Sequence, residues 1–164
     1  MSIREAGPAD VEAIGDVAAA SWHAAYDDAL GSEAVDRQLA RWYAPEAVER
    51  RLAATDHHLL VAEAGARVVG FAHGAPSPDG PADAQLVALY VEPERWGEGV
   101  GSRLLEALTG RLREDGHHDL WLEVLAENDV GRSFYRSHGF EVLDRYDEVL
   151  AGVSVVVEHR RRSL

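Results

Sequence analysis

The sequence predicts a mixed α/β fold: a central, mostly antiparallel, twisted sheet of about seven strands, flanked by about four or five helices. Apolar residues alternate with period two in some segments and recur at helical spacing in others. The first strands lie close enough together to form hairpins, whereas later strands are separated by helical segments. The 164 residues, 46% of them apolar, predict one domain that spans residues 1–164.

Each predicted strand is a short run of alternating or β-branched apolar residues that ends at turn residues. The second and third strands flank Gly65, which indicates a hairpin turn. The last strand is followed by a basic tail, residues 160–162. The predicted strands are residues 3–6, 59–64, 68–75, 85–91, 120–125, 141–146 and 149–158.

Each predicted helix combines helical apolar spacing with recognisable ends. Pro8 suits the first position of a helix, and Asn128 suits an N-cap. Gly116 and Gly139 end the helices that precede them. The predicted helices are residues 8–26, 33–43, 45–54, 99–115 and 128–138. The apolar face expected of the fourth helix consists of Val100, Leu104, Leu105, Leu108 and Leu112.

The charge is unusual, because the net charge is −13 and all 16 basic residues are arginine. Such acidity argues against a nucleic-acid partner. It favours a salt-rich cytoplasm, where the Debye length falls to about 3 Å near 1 M salt. A GC-rich genome that favours arginine codons is the alternative explanation. No segment approaches the roughly 18 apolar residues of a membrane span, and no signal-peptide pattern is present, so we expect a cytoplasmic protein without a membrane partner.

Metal chemistry is not expected. The chain has no cysteine, which excludes a disulfide, a thiolate metal site and a cysteine nucleophile. The adjacent histidines at 57–58 and at 117–118 point in different directions in a strand or loop, so neither pair predicts a metal site.

A glycine-rich turn between a strand and a helix carries most of the functional signal. Gly97, Gly99 and Gly101 allow the backbone to approach a ligand closely. The helix that follows offers unpaired N–H groups and a positive dipole end, and Ser102 adds a hydroxyl. Together these features predict a binding site for a pyrophosphate.

A dinucleotide-binding fold is the main alternative. Glu123 lies at about the distance expected of a ribose-binding acid. However, Ser102 stands where the dinucleotide motif requires its third glycine, and residues 92–96 separate the turn from its strand. The hairpin upstream also disagrees with a parallel sheet.

Two ordered motifs resemble those of the GNAT superfamily of N-acetyltransferases. Residues 91–105 resemble its motif Gln/Arg-x-x-Gly-x-Gly/Ala, with Trp96 at the first position and Arg95 just before it. Residues 128–140 resemble Asn-x-x-Ala-x-x-Phe-Tyr-x-x-x-Gly-Phe, with Gly131 in place of alanine. The resemblance covers nearly the whole chain and implies a GNAT-like fold.

The resemblance also implies an acetyl-CoA-dependent N-acetyltransferase. Backbone groups of residues 89–91 would bond the pantetheine arm and the acetyl carbonyl, and Asn128 would contact the same arm unless it serves only as a helix cap. The residues expected to bind acetyl-CoA are Leu89, Tyr90, Val91, Arg95, Trp96, Gly97, Glu98, Gly99, Val100, Gly101, Ser102, Asn128 and Tyr135.

Two catalytic residues follow from the resemblance and from acid–base chemistry. Tyr135 is expected to protonate the departing thiolate; the alternative is a core tyrosine. Glu123 is the candidate base, because alternation places it with Trp121 and Leu125 on a largely apolar sheet face, where its pKa should rise. An arginine-paired structural acid, or a water chain as the base, is equally consistent with the sequence.

The acceptor is expected to be a primary amine of a small molecule, with polyamine-like cations favoured by the acidity. Trp22, Tyr26 and Asp27 are candidate acceptor residues, although Trp22 also suits the core. A protein N-terminal or lysine acetyltransferase is the alternative within the same chemistry. A non-catalytic acyl-CoA-binding or nucleotide-binding module is the alternative outside it. The resemblance to this family also suggests a homodimer.

Overall fold

The structure is a computed structural model that describes residues 1–164. Seven strands form one sheet in the order β1-β2-β3-β4-β5-β7-β6. The strands are β1 Ser2–Glu5, β2 His58–Ala64, β3 Arg67–Pro76, β4 Ala84–Val91, β5 Asp119–Leu125, β6 Glu141–Leu150 and β7 Val153–Ser163. The helices are α1 Val11–Leu30, α2 Ser32–Trp42, α3 Pro45–Ala53, α4 Val100–Glu114 and α5 Asp129–Ser137. The mixed α/β fold predicted from the sequence is confirmed.

The sheet is antiparallel at every junction except the one between β4 and β5. These two parallel strands pair only through Ala84 with Leu120 and Gln85 with Trp121. Beyond this point β4 continues along β3 as far as Val91, whereas β5 continues along β7. The two halves of the sheet therefore diverge and leave a gap between them.

The hydrophobic core lies on both faces of the sheet. On one face, α4 buries its apolar stripe against β2, β3 and β4. Gly74 of β3 permits this close packing, because a Cβ atom there would lie 2.9 Å from Leu108 Cδ1. On the other face, α1 and α3 pack around Phe71 and Tyr43. The predicted apolar face of α4 is confirmed, since all of its members are at most 3% exposed: Val100, Leu104, Leu105, Leu108 and Leu112.

The first helical segment differs from its predicted bounds. A 3₁₀ turn, Pro8–Asp10, precedes α1, and α1 continues to Leu30 instead of ending near Tyr26. Leu30 is buried, so the extra turn adds apolar contact. Gly31 then ends the helix at a φ of +86°, a conformation that glycine adopts without strain.

The predicted break between the last two strands and the predicted basic tail are both wrong. The hairpin turns at Ala151 and Gly152, which both have positive φ, so β6 and β7 are longer than expected. The arginines at 160–162 lie inside β7 and pair with β5. Arg160 and Arg145 bond the fully buried Glu158 carboxylate. Burial alone would raise the pKa of Glu158, but these guanidinium groups lower it.

No helix of the chain combines the length and the apolar character that a membrane crossing requires.

The α4 packing makes a stability prediction. Leu108 is completely buried, so Leu108→Ala removes apolar contact and leaves a cavity. We expect the free energy of unfolding to fall by about 3 kcal/mol. Leu143→Ala is the matched control, because Leu143 is 47% exposed and its truncation should change stability by less than about 0.5 kcal/mol. Urea denaturation of both variants measures the difference; equal losses would contradict the assigned core.

Candidate active site

The gap between β4 and β5 opens into a cavity of about 400 Å³. Its walls are residues 86–91 of β4, the glycine turn with the start of α4, Glu123 and Val124 of β5, and most of α5. Beyond Gln85, β4 has a hydrogen-bonding partner on one edge only. Its free edge, at Leu89, Tyr90 and Val91, therefore offers backbone donors and acceptors to a ligand in the cavity.

The glycine turn and the start of α4 form one end of the cavity. Gly97 and Gly99 have φ values of +84° and +86°, which only glycine adopts freely. Gly101 is required for a different reason, because a Cβ atom there would lie 3.2 Å from the Phe134 ring. The N–H groups of Val100, Gly101 and Ser102 at the start of α4 have no carbonyl partner in the protein, whereas the Arg103 N–H donates to Gly99 O at 3.1 Å. Unpaired N–H groups at a helix N-terminus bind anions.

Two residues that were predicted to bind the cofactor already donate their backbone N–H groups to carbonyl oxygens of the protein. The Trp96 N–H donates to Pro93 O at 3.2 Å, and the Glu98 N–H donates to Arg95 O at 3.3 Å. Glu98 also lies outside the cavity lining, whereas Trp96 and Arg95 are part of it. The Trp96 indole N–H donates to Val91 O at 2.9 Å. This bond fixes the turn to the end of β4.

Asn128 links the second motif to α1. Its Oδ1 accepts the Gly131 N–H at 2.9 Å, which caps α5 as the sequence predicted. Its Nδ2 donates to the Tyr26 hydroxyl at 2.9 Å. A Cβ atom on Gly131 would lie 2.6 Å from Asn128 Nδ2. The glycine that replaces the family's alanine therefore accommodates this side-chain conformation.

Tyr135 lies in the cavity wall, half-buried, and its hydroxyl makes no hydrogen bond to the protein. Phe134 and Phe140 pack against its ring with centroid distances of 5.4 and 5.7 Å. Burial raises the pKa of the Tyr135 phenol above its ordinary value. The side chain is therefore a neutral O–H donor over the physiological pH range.

Glu123 reaches the same cavity from β5, in surroundings that differ from the predicted apolar face. Its side chain is 44% exposed, so Glu123 does not lie on the buried apolar face that the alternation predicted. Glu123 Oε1 accepts from the Tyr146 hydroxyl at 3.0 Å and faces His159 Nε2 at 3.0 Å. Glu123 Oε2 has no partner. His159 Nδ1 lies 2.9 Å from Asp144 Oδ1.

Of the three candidate acceptor residues, the structure brings only Tyr26 to the cavity. Burial raises the pKa of Tyr26 to about 12, so its hydroxyl is neutral. Trp22 is 3% exposed and packs on Tyr26 with a ring-centroid distance of 4.7 Å. Asp27 Oδ1 lies 2.6 Å from His23 Nδ1, away from the cavity lining.

Sequence reasoning missed His138, Tyr146 and His159 as parts of this region. His138 belongs to the second motif but stands at a position that the motif leaves free. Tyr146 and His159 meet Glu123 only because β6 and β7 extend past the predicted break. Placing the hairpin turn at Ala151–Gly152 in the sequence would have put His159 opposite Asp144. The pairing of His159 with Glu123 depends instead on the register of β7 against β5.

The chain is an α/β protein whose two half-sheets diverge around a cavity that a glycine turn and Tyr135 both line. The sequence profile of the acetyltransferase (GNAT) family matches residues 19–140. The chain therefore belongs to this family and is an N-acetyltransferase.

Known relatives and solved structures agree with this assignment. The chain is 27% identical over 148 residues to a spermidine N(1)-acetyltransferase of Thermoplasma acidophilum, which covers 88% of this chain and 90% of that protein. It is 33% identical over 98 residues to the N-alpha-acetyltransferase RimI of Mycobacterium tuberculosis, which covers 59% of this chain and 60% of the relative. The fold matches the PaiA N-acetyltransferase of Thermoplasma acidophilum, solved with coenzyme A, with a TM-score of 0.85 at 24% identity, over 99% of this chain and 98% of the other. It also matches yncA of Salmonella typhimurium, solved with acetyl-CoA, with a TM-score of 0.72 at 25% identity, over 100% and 94% of the two chains.

Proposed function

We propose that this protein transfers the acetyl group of acetyl-CoA to a primary amine of a small, polyamine-like molecule by direct attack on the thioester. The observation that carries the proposal is the gap between β4 and β5, which joins an anion-binding turn at one end to Tyr135 and Glu123 at the other. The cavity of about 400 Å³ falls within the range of small-molecule sites. Acetyl-CoA supplies an activated acyl thioester when bound.

The cofactor is held by backbone more than by side chains in this proposal. The N–H groups at the start of α4 bind the pyrophosphate. The free edge of β4 at residues 89–91 bonds the pantetheine arm, and an N–H of the same edge stabilises the carbonyl oxygen as it becomes tetrahedral. Arg95 lines the cavity beside the turn and adds positive charge at the phosphate end.

Tyr135 acts as the general acid. Its neutral hydroxyl has no competing hydrogen bond to the protein, so it is free to donate a proton to the thiolate leaving group. Because burial raises the pKa of Tyr135, its proton is retained throughout the pH range in which the enzyme works. Loss of this proton therefore does not limit activity at moderately alkaline pH.

Glu123 acts as the general base for the acceptor. A primary amine with a pKa near 10.4 is almost fully protonated at pH 7, and its deprotonation costs about 4–5 kcal/mol. Tyr146 and His159 both bind Oε1, so Oε2 is left to accept a proton from the amine, directly or through one water. A water chain without Glu123 is the alternative route for this proton.

Two observations support a polyamine-like acceptor: the net charge of this protein and the activity named for one of its relatives. The net charge of −13 attracts a cationic amine, and one similar protein is a spermidine N(1)-acetyltransferase. A protein N-terminal acetyltransferase is the second candidate, favoured by the similarity to RimI. Spermidine and a short peptide with a free N-terminus distinguish the two when each is offered with acetyl-CoA.

Further properties are proposed from the sequence alone. We propose that residues 1–164 act as one domain in a cytoplasm rich in salt, without a nucleic-acid partner. A homodimer stays a prediction.

The cofactor proposal is tested by thermal unfolding in molar KCl. At about 100 times its Kd, acetyl-CoA should stabilise the protein by about 2.7 kcal/mol and raise Tm by about 5–10 °C. NAD at the same concentration is the control and should leave Tm unchanged. A folded protein whose Tm responds to NAD and not to acetyl-CoA would refute the proposal and favour the nucleotide-binding alternative.

The role of Tyr135 is tested with Tyr135→Phe, which removes only the hydroxyl. We expect kcat to fall about 100-fold, because general acid catalysis is lost, while the Kd of acetyl-CoA stays within about twofold, since a Phe ring fills the same space. Tyr43→Phe is the matched control, because Tyr43 is a buried tyrosine outside the cavity lining. Equal turnover of the wild type and Tyr135→Phe would show that another group protonates the thiolate.

The role of Glu123 is tested with Glu123→Gln, which keeps the shape and removes the base. We expect kcat/KM to fall about 100-fold, because the general base is lost. Glu127→Gln is the control, because Glu127 is exposed, carries the same charge and lies outside the cavity lining. If Glu123→Gln keeps wild-type kcat/KM, water carries the proton from the amine.

A further inference from the structure

The anion-binding turn is coupled to a histidine that the proposed mechanism does not use. Ser102 lies in the first turn of α4, and His138 follows the last residue of α5. Ser102 Oγ and His138 Nε2 are 2.9 Å apart, and both residues line the cavity. The start of one helix and the end of another thus meet at the phosphate end of the site.

The surroundings of the ring fix which nitrogen of His138 carries a proton. His138 Nδ1 lies 2.8 Å from Phe134 O. A carbonyl oxygen only accepts, so Nδ1 must donate. The Ser137 Oγ lies 3.1 Å from His138 Nδ1, but its proton goes to the same Phe134 carbonyl at 2.7 Å, so Ser137 is a second acceptor for Nδ1 and not a donor to it. In a neutral ring, Nε2 is therefore the acceptor, and the Ser102 hydroxyl donates its proton to it.

This hydrogen-bond direction opposes anion binding. With its proton directed to His138, Ser102 presents only lone pairs to a phosphate. When the ring gains a second proton, Nε2–H donates to Ser102 Oγ instead. The Ser102 proton is then free to donate to a phosphate oxygen, and the positive ring lies one hydrogen bond further away. A hydrogen bond that involves a charged group is stronger than a neutral one.

We propose that His138 takes up a proton when acetyl-CoA binds, and that Ser102 and His138 together make the phosphate site pH-dependent. The inference rests on the proposed acetyl-CoA site and not on the identity of the acceptor. By linkage, acetyl-CoA binds more tightly at the pH at which His138 is already protonated.

The charges around His138 fit this role. The ring lies at the C-terminal end of α5, whose carbonyl groups favour a cation. From β7, Arg162 Nη1 donates to the His138 carbonyl at 3.1 Å and opposes a second positive charge. From α4, the Ser102 hydroxyl bonds the ring. The histidine–carboxylate pairs of the chain involve His23, His57, His58, His117 and His159, and not His138. The ligand's phosphate thus supplies the anion that the protein lacks here.

The test is isothermal titration calorimetry with dephospho-CoA. This ligand lacks the 3′-phosphate of CoA, so that group cannot contribute protons to the measured uptake. Titrations at pH 7 in two buffers of different ionisation enthalpy give the number of protons taken up. We expect net uptake by the wild type, and a Kd about tenfold weaker at pH 8.5 than at pH 6, the ratio expected from one charge-assisted hydrogen bond.

Two variants separate the parts of the device. His138→Gln offers an amide N–H to Ser102 that does not titrate, so proton uptake and the pH dependence of Kd should vanish while binding remains. Ser102→Ala keeps the ring but removes the hydroxyl, so uptake should shrink. Ser102→Ala also keeps the test valid if His138→Gln does not fold, which circular dichroism reports.

The outcomes are distinct. Dephospho-CoA that binds the wild type without proton uptake, or that is bound with undiminished uptake by either folded variant, overturns the role of His138 and leaves the cofactor proposal standing. A folded wild-type protein that binds neither dephospho-CoA nor acetyl-CoA overturns both.

Discussion

The short pairing between β4 and β5 is the constraint on which the rest of the structure depends. Each strand is held along its length by its other neighbour, β3 or β7, so the twist of the two half-sheets separates them after Gln85. The exposed edge of β4 would be an unsatisfied backbone in an ordinary core. Here it lines a cavity, so the cavity is a consequence of the sheet's geometry.

Side chains then fix the two ends of this gap. At one end, the Trp96 indole ties the glycine turn to Val91, and Gly101 allows the Phe134 ring to pack against α4. At the other end, Asn128 caps α5 and reaches the Tyr26 hydroxyl on α1. The helix that carries Tyr135 is thus attached both to the glycine turn and to α1. In the proposed function, this frame holds the Tyr135 hydroxyl in one place relative to the thioester.

Local signals in the sequence predicted the apolar face of α4 and the cap of α5, but they did not predict the surroundings of Glu123. The apolar stripe of α4 and the Asn128 cap were predictable because each depends on residues within one or two turns of helix. The surroundings of Glu123 were not, because they depend on the register of β5, β6 and β7. The misplaced hairpin turn gave the wrong register between β6 and β7, and the predicted end of β7 left residues 160–162 as a tail although they pair with β5. Register over long distances is set by packing across the whole sheet, which one segment does not reveal.

The net charge of −13 opposes the binding of an anionic cofactor, so the groups that could bind its phosphates matter. Arg132 and Arg160 both face the buried Glu158 carboxylate, so neither guanidinium is free for a ligand. In the proposed function, anion binding therefore falls mainly to backbone N–H groups, whose dipoles attract a phosphate without any net charge. A proton gained by His138 would add to the positive charge of Arg95 while the ligand is present. Under the same proposal, the net charge of −13 still attracts a cationic acceptor, and salt screens the remaining repulsion of the cofactor.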